Sequence, residues 1–339
     1  MARQIELKRG DRILISRTDR LGDLILALPL METIKIRYPE NPLDILTSDY
    51  AAPILKNTKY IDKVVTVNND RLKKEKEYQT ELLQRIKESN YHTALVLFPD
   101  KLISRLLYEA GIPYRIGTGR RFHSIYFNYH IFHSRKANRK HESEYNLDFL
   151  RFFRQGVLFK IPRLDLKNRE LDEARKLLTL DRIKDDFLIL HPGSGGSARQ
   201  WPLELFIELY DLLTKKGLTV LMTGSDDEGL RIRQAAENYG IKVNLFAGKT
   251  DLLTLAALLS LAGVVVANST GPLHLAAAVG TKVIGIYPSE HAMSPVRWGP
   301  LGEGHLIVQP YKGSAIETIT VEEVATAVLN NMKIAEAKK

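Results

Sequence analysis

The sequence predicts an α/β protein built as two doubly wound, parallel-sheet domains. Three observations carry that reading. Short apolar runs alternate with amphipathic stretches along the chain, the pattern is taken up afresh from residue 187, and a charged, proline-containing stretch without apolar period, "FKIPRLDLKNRE" (159–170), separates the two series. A chain of 339 residues has room for two domains that each bury a core. The boundary is placed at residues 163/164, giving domains over 1–163 and 164–339, with 161–166 as the candidate hinge.

In the first half, "RILIS" (12–16), "LDILT" (43–47), "VVTV" (64–67) and "TALVLF" (93–98) read as strands. Residues 24–38 and 77–89 read as helices from apolar positions recurring at three or four, the first kinked at Pro29. In the second half the expected strands are 187–192, 218–224, 243–248, 264–268 and 282–287, each followed by a helix.

Composition excludes several classes. Hydrophobic residues make up 44% and charged ones 26%, and there is no uncharged apolar run of 18 residues to cross a membrane. The N-terminus carries charges where a signal peptide would be apolar, and without cysteine the chain has no disulfide framework, thiolate metal site or thiol nucleophile; the expected compartment is the cytosol. Charge is uneven: residues 1–160 hold 29 Lys+Arg against 19 Asp+Glu, whereas 161–339 hold 20 against 21. That asymmetry points to an anionic partner for the N-terminal half.

Ligands of such sheets bind beyond the carboxyl ends of strands. Three turns there stand out. In "ISRTDRLGDLIL" (15–26), Arg17 and Arg20 flank Gly22-Asp23 at a helix start, where Asp23 is either an N-cap or a functional carboxylate. In "HPGSGGSARQWPLELF" (191–206), small residues expose backbone N–H groups and Ser194, Ser197 and Arg199 add donors, a combination suited to phosphate or diphosphate. It matches neither a P-loop nor a dinucleotide fingerprint. In "NSTGPLHLAAAV" (268–279), Asn268, Ser269 or Thr270 can cap a helix beginning near Pro272, Gly271 permits close approach, and His274 falls in the first turn. A hydroxyl, free N–H groups and an imidazole at one helix start suit an anion.

Taken together, "R-x-D-R-x-G-D", "HPGSGGSARQWP" and "NSTGPLHLAAAVGTKVIGIYP", in that order at strand ends, resemble glycosyltransferase family 9, the lipopolysaccharide heptosyltransferases, from Ile13 to about Pro300. The resemblance implies a GT-B fold: two Rossmann-like domains facing across a cleft, the N-terminal one for acceptor and the C-terminal one for nucleotide-sugar donor. It implies an inverting, metal-independent transfer of heptose from ADP-heptose to a Kdo–lipid A type acceptor, with Asp23 as general base and Arg199 neutralising the departing diphosphate. Ser194, Ser269, Thr270, Gly271 and His274 are the implied phosphate contacts, Glu228 lies where the family places a carboxylate near the donor ribose, and Thr250 falls near the base pocket. The family often has Asp at the position of Ser269 and Lys at that of Arg199. No cofactor is implied beyond the donor substrate, and no Asp-x-Asp pair is present to hold a metal.

The stretch 114–146 interleaves arginines and lysines with aromatic residues. Arg115, Arg120 and Arg121, with Arg17 and Arg20, are the expected contacts to an anionic, lipid-linked saccharide at the inner-membrane surface, which makes peripheral association with the cytoplasmic face the expectation. Nucleic acid is not expected, because no RNP, zinc or helix-turn-helix pattern accompanies the charge. Alternatives on the same architecture are a transferase or epimerase using another nucleotide sugar, and a non-catalytic nucleotide-sugar binder.

Overall fold

A computed structural model of the chain describes residues 4–153, 159–183, 186–193, 195–196 and 199–336. The chain divides into two compact units, Met1–Pro162 and Arg163–Lys339. Each has its own parallel sheet.

In the first unit the strands are β1 (Ile13–Arg17), β2 (Leu43–Ser48), β3 (Lys63–Val67), β4 (Thr93–Val96), β5 (Tyr114–Thr118) and β6 (Tyr129–Ile131). They pair in the order β3-β2-β1-β4-β5-β6, every pair parallel, so the strand order reverses between β1 and β4. That reversal opens a crevice at the carboxyl ends, which is where such sheets bind ligands. The helices are α1 (Leu21–Ile25), α2 (Leu28–Arg37), α3 (Asn69–Lys74), α4 (Lys76–Glu88), α5 (Lys101–Glu109) and α6 (Glu142–Leu147). α4 follows its sequence period, burying Tyr78, Leu82 and Ile86 against Leu46, Val65 and Val96 of the sheet.

Two expectations are corrected here. The single kinked helix over 24–38 is two helices: the chain leaves helical bonding at Leu26-Ala27, and Pro29 lies in the first turn of α2, where its missing N–H would have had no partner. β5 and β6 fall inside the basic, aromatic stretch, where arginine and histidine hide the apolar alternation.

The second unit contains β7 (Phe187–His191), β8 (Thr219–Met222), β9 (Val264–Asn268), β10 (Val283–Ile286) and β11 (Leu306–Val308), in the parallel order β11-β10-β9-β7-β8. Its helices are α7 (Asn168–Leu180), α8 (Leu203–Lys215), α9 (Asp226–Asn238), α10 (Leu252–Leu261), α11 (Gly271–Ala278), α12 (Pro295–Trp298) and α13 (Val321–Glu336). Phe206, Leu209 and Val324 pack on Leu188, Val266 and Ile284.

The strand expected over 243–248 is reduced to one bridge, Met222 to Leu245. Asn244 explains why. Its backbone N–H donates to the Tyr210 hydroxyl at 3.0 Å and its side chain to the Val220 carbonyl at 3.1 Å, so side chains take bonds that a ladder would have used. β11, an apolar run of only three residues, is too short to stand out as a strand and is mostly exposed.

Candidate active site

β1 ends on Arg17, and the turn after it feeds α1, so Asp23 sits in the first turn of α1 at the sheet's reversal point. Asp23 is not an N-cap: Arg20 holds that position, and no side chain caps the helix. The Asp23 carboxylate instead accepts from the Arg17 guanidinium. Arg17 is only 2% exposed and also pairs with Asp19 at 2.8 Å and with Glu142 of α6 at 3.4 Å. Glu142 is fully buried and takes a second guanidinium, from Arg135, at 3.3 Å. Asn146 ties α6 to the same corner, accepting from Arg17 at 3.4 Å and donating to the Leu26 carbonyl at 3.1 Å.

This cluster sets the chemistry of Asp23. Burial raises its pKa to about 6, Arg17 pulls the other way, and the neighbouring carboxylates Asp19 and Glu142 add to the rise. An aspartate at that value is ionised at neutral pH and is a stronger base than an exposed one. Burial by itself would lower the pKa of Arg17, but Asp19, Asp23 and Glu142 more than reverse that, so the guanidinium stays charged.

In the second unit the corresponding position at the end of the first strand is His191. It is buried with Nδ1 2.9 Å from the Thr223 hydroxyl, and burial lowers its pKa to about 4 against the pull of Glu228, so it is neutral at neutral pH. The chain then enters the glycine loop. A side chain at Gly193 would overlap the Glu228 carboxylate, and Gly195 and Gly196 have φ of +52° and +71°, a region that favours glycine. Glu228 belongs to a capping box at the start of α9: its carboxylate accepts from the Ser225 N–H at 2.8 Å while its own N–H donates to Ser225 Oγ at 3.3 Å. One carboxylate therefore caps a helix and lines the glycine loop. Ser194, expected as a phosphate contact, lies outside the described residues.

Asn268, at the end of β9, staples both ends of that loop. Its Nδ2 donates to the Pro192 carbonyl at 2.8 Å and its Oδ1 accepts the Trp201 N–H at 2.9 Å. Trp201 is locked in turn by its indole N–H donating to the Ile319 carbonyl at 2.9 Å. Thr270 is the N-cap of α11 but makes no capping bond; its hydroxyl is buried and has no hydrogen-bond partner among the described residues. Gly271 opens α11 and His274 is buried in its first turn. Ser269 is engaged otherwise: it hydrogen-bonds the buried Tyr287 hydroxyl, which itself donates to the Trp298 carbonyl at 2.6 Å. Thr250 precedes Asp251, the cap of α10.

Arg199, at the far end of the glycine loop, is about half exposed and pairs with Glu290 at 3.1 Å and Glu317 at 3.4 Å. An exposed, salt-bridged guanidinium exchanges partners at little cost.

The arginines expected to meet the acceptor separate into three groups. Arg17 is buried and pairs with Asp23. Arg115 lies level with Leu14, away from the carboxyl edge, where it donates to the Tyr126 carbonyl at 2.7 Å and lies over the Tyr108 ring; it braces the fold. Arg20, Arg120 and Arg121 are exposed beyond the carboxyl ends of β1 and β5. Sequence reading missed Glu142, Asn146, His191 and Thr223. One signal for Glu142 was available: it is the first acidic residue after Glu109, at the end of a long basic stretch. Among the described residues, no group of three or more His, Cys, Asp or Glu side chains could hold a metal ion.

Two all-parallel α/β units are the architecture of the GT-B fold, and solved structures agree. The Escherichia coli ADP-heptose lipopolysaccharide heptosyltransferase II superposes with a TM-score of 0.78 at 19% identity, covering 96% of this chain and 99% of that one. A family 9 glycosyltransferase from Veillonella parvula gives 0.83 at 18% identity, covering 96% and 99%. The family model "Glycosyltransferase family 9 (heptosyltransferase)" matches residues 79–322, and the chain belongs to that family. By sequence it is 28% identical over 327 residues to the lipooligosaccharide heptosyltransferase 2 of Haemophilus influenzae, covering 90% of each chain. It is 24% identical to the Escherichia coli lipopolysaccharide heptosyltransferase 3, covering 86% of each.

Proposed function

We propose that the protein transfers a heptose from ADP-heptose to a phosphorylated inner-core acceptor of lipopolysaccharide, of the Kdo–lipid A type, by one inverting displacement without a metal. The observation that carries this reading is the Asp23 carboxylate, its side chain 12% exposed, set to about 6 and held by Arg17 at the reversal point of a sheet in the cationic half of the chain. The acceptor hydroxyl loses its proton to Asp23 as its oxygen attacks the anomeric carbon, and the bond from that carbon to the diphosphate oxygen breaks in the same step. The departing ADP leaves as an anion. Backbone N–H groups at the start of α11, the unpartnered Thr270 hydroxyl, His274 and Arg199 neutralise it, the part that a metal ion plays in other transferases.

In this reading the N-terminal unit receives the acceptor, with Arg20, Arg120 and Arg121 on its anionic groups, and the C-terminal unit receives the donor, with Glu228 near the ribose and Thr250 near the base. The enzyme works on the cytoplasmic side, at the membrane that holds its acceptor. Adenine as the donor base is supported by one fold relative, the Escherichia coli heptosyltransferase WaaC, whose structures contain ADP and ADP-2-deoxy-2-fluoro heptose.

The test is product formation from purified protein, Kdo–lipid A and, in turn, ADP-heptose, UDP-glucose and GDP-mannose, in EDTA. Transfer from ADP-heptose alone is expected. Transfer from another donor keeps the transferase and discards the heptose; binding of nucleotide sugar with no transfer to any acceptor discards the enzyme.

A further inference from the structure

The turn between β5 and β6 presents an apolar wedge among cations. After β5 the chain runs through Arg120 and Arg121 into a 3-10 turn, Phe122–Tyr126. Residues three apart in such a turn share a face. Phe122 and Ile125 are so related, and both point away from the protein, at 102% and 77% exposure. Phe132, just past β6, is 62% exposed and covers Gly119, where a side chain would overlap its ring.

The base of the wedge is well anchored. Phe127 is buried over Gly117, the Tyr126 ring packs tilted at 47° against Tyr108 with centroids 5.7 Å apart, and the Ser124 carbonyl lies 3.1 Å from His130 Nε2. The apolar tips are therefore held outward rather than left by a loose loop. Residues 110–141 contain seven Lys and Arg and no Asp or Glu. Lys101 and Arg121 are cations that act on His123, and Asp100, the cap of α5, is a carboxylate that opposes them.

From this we infer that Phe122, Ile125 and Phe132 form a docking surface that inserts into an anionic bilayer, with Arg120 and Arg121 on lipid headgroups. The charge favours this occupant: a convex apolar tip ringed by cations in a segment without anions matches an acidic headgroup layer over hydrocarbon. The position fits too. Phe132 lies three residues before Arg135, whose guanidinium is 3.3 Å from Glu142 in the cluster that holds Asp23. Docking there sets the unit that holds Asp23 against the membrane, a use that rests on the lipid-linked acceptor proposed above.

The experiment is co-sedimentation of the full chain with vesicles of phosphatidylethanolamine and phosphatidylglycerol that contain no acceptor, against vesicles of phosphatidylethanolamine and phosphatidylcholine. The wild type is expected to bind the anionic vesicles and to lose binding as salt is raised. The double variant Phe122→Ser, Ile125→Ser is expected to bind them at least about tenfold less, with unchanged melting temperature and unchanged activity on a deacylated, water-soluble acceptor. Absence of wild-type binding, or equal binding by the variant, overturns the inference. So does a variant that differs from wild type only in molecular mass by light scattering, since the patch is then a contact between copies. Because the vesicles carry no acceptor, binding survives a failure of the heptose-transfer reading, and transfer by a protein that ignores vesicles leaves that reading standing.

Discussion

The Asn268 side chain accepts the main-chain N–H of Trp201 at 2.9 Å, joining the end of β9 to the exit of the glycine loop. Its other end donates to Pro192 at 2.8 Å, so one buried carboxamide fixes both ends of the loop. Asn268→Ala should cost about 2 kcal/mol by leaving two buried backbone groups without partners. Asn268→Asp should cost more, because a carboxylate faces the Pro192 carbonyl where a donor belongs. Denaturant titration measures both, and an aspartate variant as stable as wild type would remove the staple from the account.

Thr270 gives the opposite expectation. Its hydroxyl is buried without a partner among the described residues, a cost to the ligand-free protein. Thr270→Val keeps the shape and removes that cost, so the ligand-free protein should gain up to about 1 kcal/mol, while the KM for donor rises and the stabilisation conferred by ADP shrinks. A lower melting temperature without nucleotide would mean that the hydroxyl serves the fold.

The pH dependence of turnover should report Asp23. The base must be ionised, and its pKa is raised to about 6, so kcat/KM should be level above that value and fall about tenfold per pH unit below it. Asp23→Asn should lower kcat by about 10² to 10⁴ with the melting temperature little changed. A profile that stays flat down to pH 4.5 would exclude the assigned base.

His191 governs stability rather than turnover. Its folded pKa, about 4, lies below the unfolded value of roughly 6.5, so the unfolded chain binds the extra proton between these limits. The contribution is complete above about pH 6.5 and is lost as pH falls towards 4. Asp23 has the opposite sign in the other unit, its raised pKa adding stability as pH falls through 6. Comparing wild type with His191→Gln isolates the histidine: their melting temperatures should converge as the pH is lowered.

Arg199→Ala should leave stability unchanged, its salt bridges being exposed, and should reduce kcat on the order of 10²-fold through loss of charge on the leaving diphosphate. Arg199→Lys should restore part of the rate.

Much of the fold was legible because parallel strands buried on both faces are written as apolar runs, and β1 to β4 and β7 to β10 all show them. β5, β6 and β11 were not legible, since they sit towards sheet edges and carry arginine, histidine or exposed residues. The segment 243–248 looked like a strand, but the bonds made by Asn244 are invisible to periodicity. The same limit applies to the site. Asp23, the glycine loop and the α11 start announce themselves as local turns. Glu142 and Asn146 join the site through their contact with Arg17, which no local window contains.

That contact has a consequence for synthesis. Arg17 and Glu142 are separated by 125 positions, and Arg17 and Asn146 by 129. A ribosome has therefore made nearly the whole first unit before Glu142 and Asn146, the α6 partners of Arg17, exist, and until then the guanidinium has only the local carboxylates of Asp19 and Asp23. The nascent chain can pair β1 with β2 and β2 with β3 early, yet the corner that holds Asp23 closes only when α6 emerges. Premature termination before residue 142 therefore yields a partial sheet in which Arg17 lacks both of its α6 partners, so the corner around Asp23 is completed late in the making of the polypeptide.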